Sequence, residues 1–211
     1  MQGVAITFLK QSGFYLEFES SSMLIDPMNK TAGDRSGEIV YITHGHVDHT
    51  GGLETFMERN PEAILITNEQ VARRYSQWAN RIVIANPGES YTKEPFHMEF
   101  VECKHGIFRG VMNMGVIVRT GGQTFGHCGD STTLAGFYDK HVDFMAVPVS
   151  GIIATKAKDV LRELRNFKEP PQYVIPMHWL FRKPEGLCKL LSKELPGVGC
   201  IVPSENEIVI G

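Results

Sequence analysis

The segment His44-Gly45-His46-Val47-Asp48-His49 places four potential metal ligands in six positions, directly after the apolar run 39–42. An uninterrupted β-branched and aromatic run of that length, bounded by polar residues, reads as a buried strand, so the ligands leave a sheet at its end. His44 and His46 are two apart on a chain leaving a strand and point the same way, which lets them share one ion. Asp48 and His49 are adjacent, project about a quarter-turn apart once the next helix begins, and reach a second ion beside the first. Two ions about 3.5–4 Å apart can hold a hydroxide between them. In a chain with eight histidines, this spacing arises by chance on the order of a few times in 10⁴, which bounds the false-positive risk of the match. The H-E-x-x-H helix site is a poor alternative, because no Glu stands between these histidines.

Three further candidates stand at strand ends or in loops: His105 in Glu102-Cys103-Lys104-His105-Gly106, Asp130 in Gly129-Asp130-Ser131, and His178 in Pro176-Met177-His178-Trp179. Taken singly, a His at a strand end is usually satisfied by backbone or solvent. As companions of the first motif they complete a set of five His and two Asp.

The rest of the chain supplies a frame of strands followed by helices. Runs 4–9, 14–18 and 23–25, broken by Gln11-Ser12-Gly13 and Ser20-Ser21-Ser22, read as three consecutive antiparallel strands. A helix is expected over 53–59, then strand 63–67, a helix over 69–78 capped by Asn68, and strand 82–85, a β-α-β order. Strands follow at 96–102, 115–119, 123–128 and 144–147, with Gly121-Gly122 as a hairpin turn. The spacing of Val160, Leu161, Leu164 and Phe167 predicts an amphipathic helix over 156–167, with Thr155 in the capping position; Leu187, Leu190, Leu191 and Leu195 predict another over 185–195. Strands 173–175, 198–202 and 208–210 complete the pattern. Two sheets packed face to face with helices outside would bury all of these faces, in one domain spanning 1–211.

Composition narrows the partners. Twenty-one Lys and Arg face 24 Asp and Glu, for a net charge of −3 without a block of like charges, which argues against nucleic acid as a partner. No apolar run reaches the ~18 residues of a membrane span. The first residues lack a basic stretch followed by a long apolar one, so the cytoplasm is the expected compartment. Cys103, Cys128, Cys188 and Cys200 show no C-x-x-C spacing, an argument against both a zinc finger and a disulfide framework.

Taken in order, these residues resemble the five motifs of the metallo-β-lactamase superfamily, over essentially the whole chain. The resemblance implies an α+β fold, an αββα four-layer sandwich of two mixed sheets. It implies a first metal held by His44, His46 and His105, a second held by Asp48, His49 and His178, and Asp130 shared between them. Asp26 in Leu24-Ile25-Asp26-Pro27 would orient the ligand loop without binding metal; its alternative reading is a turn-forming Asp before Pro27. Within the superfamily, the short length and the segments 24–27, 126–131 and 174–178 most resemble small metal-dependent hydrolases related to ascorbate-6-phosphate lactonase. The chain departs from flavodiiron oxygen reductases, which carry Glu at the position of His46, and from RNase Z, whose tRNA-binding arm has no counterpart here.

Imidazole and carboxylate ligands without thiolate suit two Zn²⁺ ions first, with Mn²⁺ or Fe²⁺ as alternatives. The expected reaction is hydrolysis of a small ester, lactone or related substrate, including phosphorylated ones, by a metal-bridging hydroxide, with Asp48 and Asp130 as the catalytic carboxylates. The alternatives are a phosphodiesterase or nuclease of the same superfamily and a non-catalytic metal-binding sensor. Arg109 and Arg182 are candidates to hold an anionic group of the substrate, and Trp179 and Phe181 are candidate pocket walls. His127 is either a proton donor to the leaving group or a strand residue. Cys103 and Cys128 read as buried apolar filler.

Overall fold

In the computed structural model, which describes residues 3–106, 110–150, 155–179 and 183–210, the first half of the chain forms one sheet and its covering helices. The strands are β1 (Ala5–Phe8), β2 (Phe14–Phe18), β3 (Ser21–Ile25), β4 (Ile39–Ile42), β5 (Ile64–Thr67) and β6 (Ile82–Ile84). Between them lie α1 (Lys30–Gly33), α2 (Val47–Thr50), α3 (Leu53–Arg59) and α4 (Glu69–Arg74). The second sheet is built from β7 (Ser90–Lys93), β8 (Phe96–Lys104), β9 (Met112–Thr120), β10 (Gln123–His127), β11 (Phe144–Pro148), β12 (Tyr173–Met177) and β13 (Gly199–Cys200), with α5 (Ala157–Leu164) and α6 (Glu185–Glu194). The chain then returns as β14 (Ile208–Ile210) to pair antiparallel with β1.

Both sheets have seven strands, in the orders β14-β1-β2-β3-β4-β5-β6 and β13-β12-β11-β10-β9-β8-β7. Each is antiparallel in one half and parallel in the other. Period-two alternation sets the layers. Ile39 and Tyr41 of β4 join the core between the sheets, whereas Val40 and Ile42 face the outer helices with Leu53, Phe56 and Met57. The second sheet is covered by Val160, Leu161 and Leu164 of α5 and by Leu187 and Leu191 of α6, which join the central core. The result is the α+β, αββα sandwich expected from the sequence. Each fully buried Phe, Leu or Ile contributes about 1.5–3 kcal/mol, so the sandwich ends are held by a stiff, densely packed frame.

Several local expectations change. The helix expected over 69–78 stops at Arg74; a 3-10 segment, Ser76–Arg81, follows, with Trp78 at non-helical φ −109° and ψ 24° and Tyr75 stacked on it at 5.8 Å. The short edge strand β7 carries one apolar residue, Tyr91, too little for a periodic signal. Strand 198–202 contracts to two residues. Thr155 does not cap α5: Lys156 is the N-cap residue, and the Thr155 hydroxyl donates to the Ser131 carbonyl at 2.7 Å. Cys188 and Cys200 form a disulfide between α6 and β13, with Cα atoms 5.2 Å apart. Their separation of 12 residues carries no signal, because the helix crossing back over the edge strand is what brings them together.

Candidate metal centre

The C-terminal ends of β3, β4, β8, β10 and β12 meet at one end of the sandwich, and each delivers a polar side chain there. Asp26 follows β3. Its Oδ1 accepts from the Thr43 backbone N–H at 2.8 Å and its Oδ2 from the Thr43 hydroxyl at 2.7 Å. The Thr43 carbonyl in turn accepts from the Met114 N–H and from the side chain of Asn68, which also caps α4 through Val71. The first residue after β4 is thus clamped from three sides before the ligands begin.

His46 caps α2, and its carbonyl accepts from the N–H groups of His49 and Thr50, so a single turn of helix carries Asp48 and His49. Gly51 and Gly52 hold that turn against the loop after β3. A Cβ at Gly51 would sit 2.2 Å from the Met28 carbonyl, and one at Gly52 2.3 Å from that of Asn29. Gly129 has φ +57°, and a Cβ there would meet Asn113 Oδ1 at 2.2 Å; this left-handed step turns the chain after β10 so that Asp130 faces the centre. His105, at the end of β8, pairs with Ser131 in an isolated bridge, and His178 ends β12 at φ 57°.

The side chains converge in two groups: His44, His46, His105 and Asp130, and Asp48, His49 and His178. Within each, one ligand atom per residue lies within 4.8 Å of the others. His44 Nε2 is 3.1 Å from His46 Nδ1, and the rings of His44 and His46 both stand edge-on to His105, with centroids 4.7 and 4.8 Å apart. Asp130 Oδ2 is 4.0 Å from His44 Nε2 and 3.2 Å from His178 Nε2, and Asp130 Oδ1 is 3.4 Å from His49 Nε2. This one carboxylate therefore faces both groups. His44, His49 and His178 are fully buried, whereas Asp48 keeps 31% of its side chain exposed.

Burial pushes His44 and His105 below the usual imidazole value, which keeps their ring nitrogens available as donors to a cation. Burial would also lower His49 and His178, but the carboxylates prevail: Asp26 and Asp130 hold His49 well above its usual value, and Asp130 and Asp48 hold His178 at about 9. Asp48 and Asp130 lie below the usual carboxylate range, since the neighbouring imidazoles outweigh the opposing effect of burial. Among the described residues no Lys or Arg pairs with Asp26, Asp48 or Asp130. Clustered carboxylates without a Lys or Arg partner favour a cation beside them, and a mixed nitrogen and oxygen donor set without thiolate fits borderline and hard divalent cations.

The structure brings together Asp26 and all seven ligand candidates. Trp179 stacks on Phe8 at 5.2 Å and lines a cavity of about 190 Å³ with Lys10 and Gln11; a second cavity, of about 390 Å³, opens beside His105 and Met112. Arg109, Phe181 and Arg182 lie outside the described residues. His127 is not placed to donate a proton: it is fully buried, its Nε2 is 2.9 Å from the Ser12 carbonyl, and its Nδ1 accepts from the Gly129 N–H. Burial pushes the Cys103 thiol up to about 12 and the Cys128 thiol well above its usual value, in keeping with apolar filler. Sequence reasoning missed Gln11, Ser12, Thr43 and, as a support of the ligand loop, Asn68. Gln11 and Ser12 carry only a turn signal, and nothing local marks them as neighbours of His178 and His49.

A family model described as a β-lactamase superfamily domain matches residues 5–178. A metal-dependent hydrolase of Staphylococcus carnosus is 24% identical over 216 residues, covering 89% of this chain and 93% of the relative. Another from Pyrococcus furiosus is 26% identical over 219 residues, covering 90% and 93%. Among solved structures, a metallo hydrolase from the hyperthermophilic archaeon Ignicoccus hospitalis superposes with a TM-score of 0.84 at 19% identity, covering 98% of this chain and 97% of that one.

Proposed function

Because this chain belongs to the β-lactamase superfamily, we propose that it is a metal-dependent hydrolase whose two ligand groups each hold one divalent ion, Zn²⁺ first and Mn²⁺ or Fe²⁺ as alternatives. The observation that carries this reading is the convergence of seven His and Asp side chains in two adjoining groups at one end of the sandwich. Such ions, when bound, supply Lewis acidity to the scissile group and lower the pKa of water toward 7.

The protein's part is to aim the donors. The Thr43 hydroxyl gives its proton to Asp26, so its oxygen is left to accept from His44 Nδ1–H at 3.0 Å. His44 Nε2 then faces the first group as a lone pair. Asp26 does the same for His49, accepting from Nδ1 at 2.7 Å and leaving Nε2 toward Asp130. Asp130 joins the two groups. Asp48 is the acidic side chain of the centre with a solvent face, so it is the group placed to meet and orient an incoming water. No protein nucleophile enters this scheme, and the substrate class we propose is a small ester, lactone or related compound, phosphorylated ones included.

Elemental analysis of protein purified without a metal-binding tag tests the reading, with hydrolysis of a panel of lactones, esters and phosphodiesters assayed before and after chelation. About two ions per chain, and ester or lactone hydrolysis lost on chelation and restored by zinc or manganese, are expected. One ion or none after reconstitution would overturn the two-ion assignment; preference for phosphodiesters would overturn the substrate class.

A further inference from the structure

The connection between β1 and β2 is polar, strained and buried where it meets the centre. Lys10 and Gln11 follow one another at φ 82° and 56°, two consecutive left-handed residues without glycine, a conformation that persists only where the surroundings enforce it. The turn is closed by Leu9 N–H to the Gly13 carbonyl at 2.8 Å and Gly13 N–H to the Lys10 carbonyl at 2.9 Å. Gln11 is only 8% exposed.

This turn reaches every member of the Asp48, His49 and His178 group. The Gln11 carbonyl accepts from the His178 backbone N–H at 2.7 Å. The Gln11 side-chain amide donates to Asp48 Oδ2 at 3.1 Å and lies 3.0 Å from His178 Nε2. Ser12 Oγ is 3.3 Å from the ring nitrogens of His49. The Ser12 carbonyl is anchored by the buried His127, whose other nitrogen holds the Gly129 N–H beside Asp130.

We propose that Gln11 is a positioning residue for this second group, its side-chain amide setting how tightly Asp48 and His178 hold a divalent ion. The proposal rests on the two-ion reading above. The choice of side chain is chemically specific. A neutral amide donates to Asp48 without bringing a charge that would repel a cation, as Lys or Arg would, and without adding a ligand oxygen of full charge, as Glu would. Backbone and side chain have separable tasks: the carbonyl fixes the His178 backbone, and the amide fixes the relation of two donor atoms from elements 130 residues apart.

The test compares full-length wild type with Gln11→Met and Gln11→Glu, both of which keep the side-chain length and tolerate the left-handed backbone about as well as Gln. Cobalt(II) is titrated into chelator-treated protein and followed by its visible spectrum, with zinc affinities from calorimetry and thermal unfolding of the metal-free proteins as the control for folding. In Gln11→Met the second equivalent should bind about 10–100-fold more weakly, with an altered cobalt band, while the first equivalent is unchanged. In Gln11→Glu the second equivalent should bind more tightly than in wild type. Weakening confined to the second equivalent in Gln11→Met, with an altered cobalt band and unchanged thermal unfolding of the metal-free protein, is not produced by a turn with a merely structural role. Wild-type affinity and spectrum in both variants, or equal weakening in both, would overturn the proposal. A wild type that binds a single equivalent would instead overturn the two-ion reading, and that result is read before any variant is compared.

Discussion

Asp26 Oδ2 lies 2.7 Å from His49 Nδ1, with both side chains fully buried. The same carboxylate accepts two hydrogen bonds from Thr43, so one residue after β3 orients both the first residue of the ligand loop and a donor on α2. Replacing it by Asn keeps the shape, removes the charge and lets an amide N–H face an imidazole that must itself donate. Asp26→Asn should lose about 10–100-fold in metal affinity, chiefly at the His49 group. Metal titration by calorimetry checks this, and affinities equal to wild type would contradict it.

Gly129→Ala should be more damaging than its one added carbon suggests. A left-handed backbone costs an alanine about 1–3 kcal/mol, and the new Cβ would meet Asn113 Oδ1 at 2.2 Å and Thr43 at 2.9 Å. Asp130, the next residue, would be moved off the centre. The expected outcome is lower thermal stability together with reduced metal stoichiometry; a variant with full metal content and wild-type melting would refute it.

Glu163 predicts a pH dependence of stability away from the centre. Burial would raise its carboxyl, but hydrogen bonds from the Thr133 hydroxyl at 2.6 Å, the Leu134 N–H at 2.8 Å and the Tyr138 hydroxyl at 2.8 Å prevail and hold it below the usual value. A depressed folded value contributes stability that is present above the unfolded value of about 4.3 and is lost as pH falls through the folded one. Glu163→Gln should therefore cost about 1–3 kcal/mol near neutrality, with the gap to wild type closing below pH 4. Melting curves across pH 3–8 decide it; a gap independent of pH would show that charge is not involved.

The Cys188–Cys200 bond ties α6 to the edge strand β13 across 12 residues. Closing a loop of that size stabilises by about 2–4 kcal/mol, or about 4–16 °C in a chain of this length. Reductant, or the paired Cys188→Ser and Cys200→Ser substitutions, should lower the melting temperature by that amount and leave metal content unchanged, as the bond lies outside both ligand groups. An unshifted melting temperature would mean that the link adds nothing.

Much of the centre was legible because its chemistry is local. His44, His46, Asp48 and His49 follow one apolar run, and their spacing states a purpose that no folding argument requires. The layers were legible for a similar reason: alternation in β4 assigns Ile39 and Tyr41 to one face and Val40 and Ile42 to the other. The failures have the opposite cause. Gln11 and Ser12 look like ordinary turn residues, and His127 looks like a candidate acid, until the two sheets are packed.

Residue types and periodicity by themselves determined the buried faces and the candidate donors of segment 44–49, because each depends on neighbours within one turn or one strand; the αββα arrangement and the distant candidates His105, Asp130 and His178 became expectations only together with the resemblance to a superfamily. Only the tertiary structure decided which atom of each imidazole faces the centre, that Ser12 sits beside His49, and that Gln11 meets His178 across 167 residues. The contact of Gln11 with His178 joins the ends of strands from different sheets, and no local pattern encodes a distance that exists only after the sheets have closed on one another.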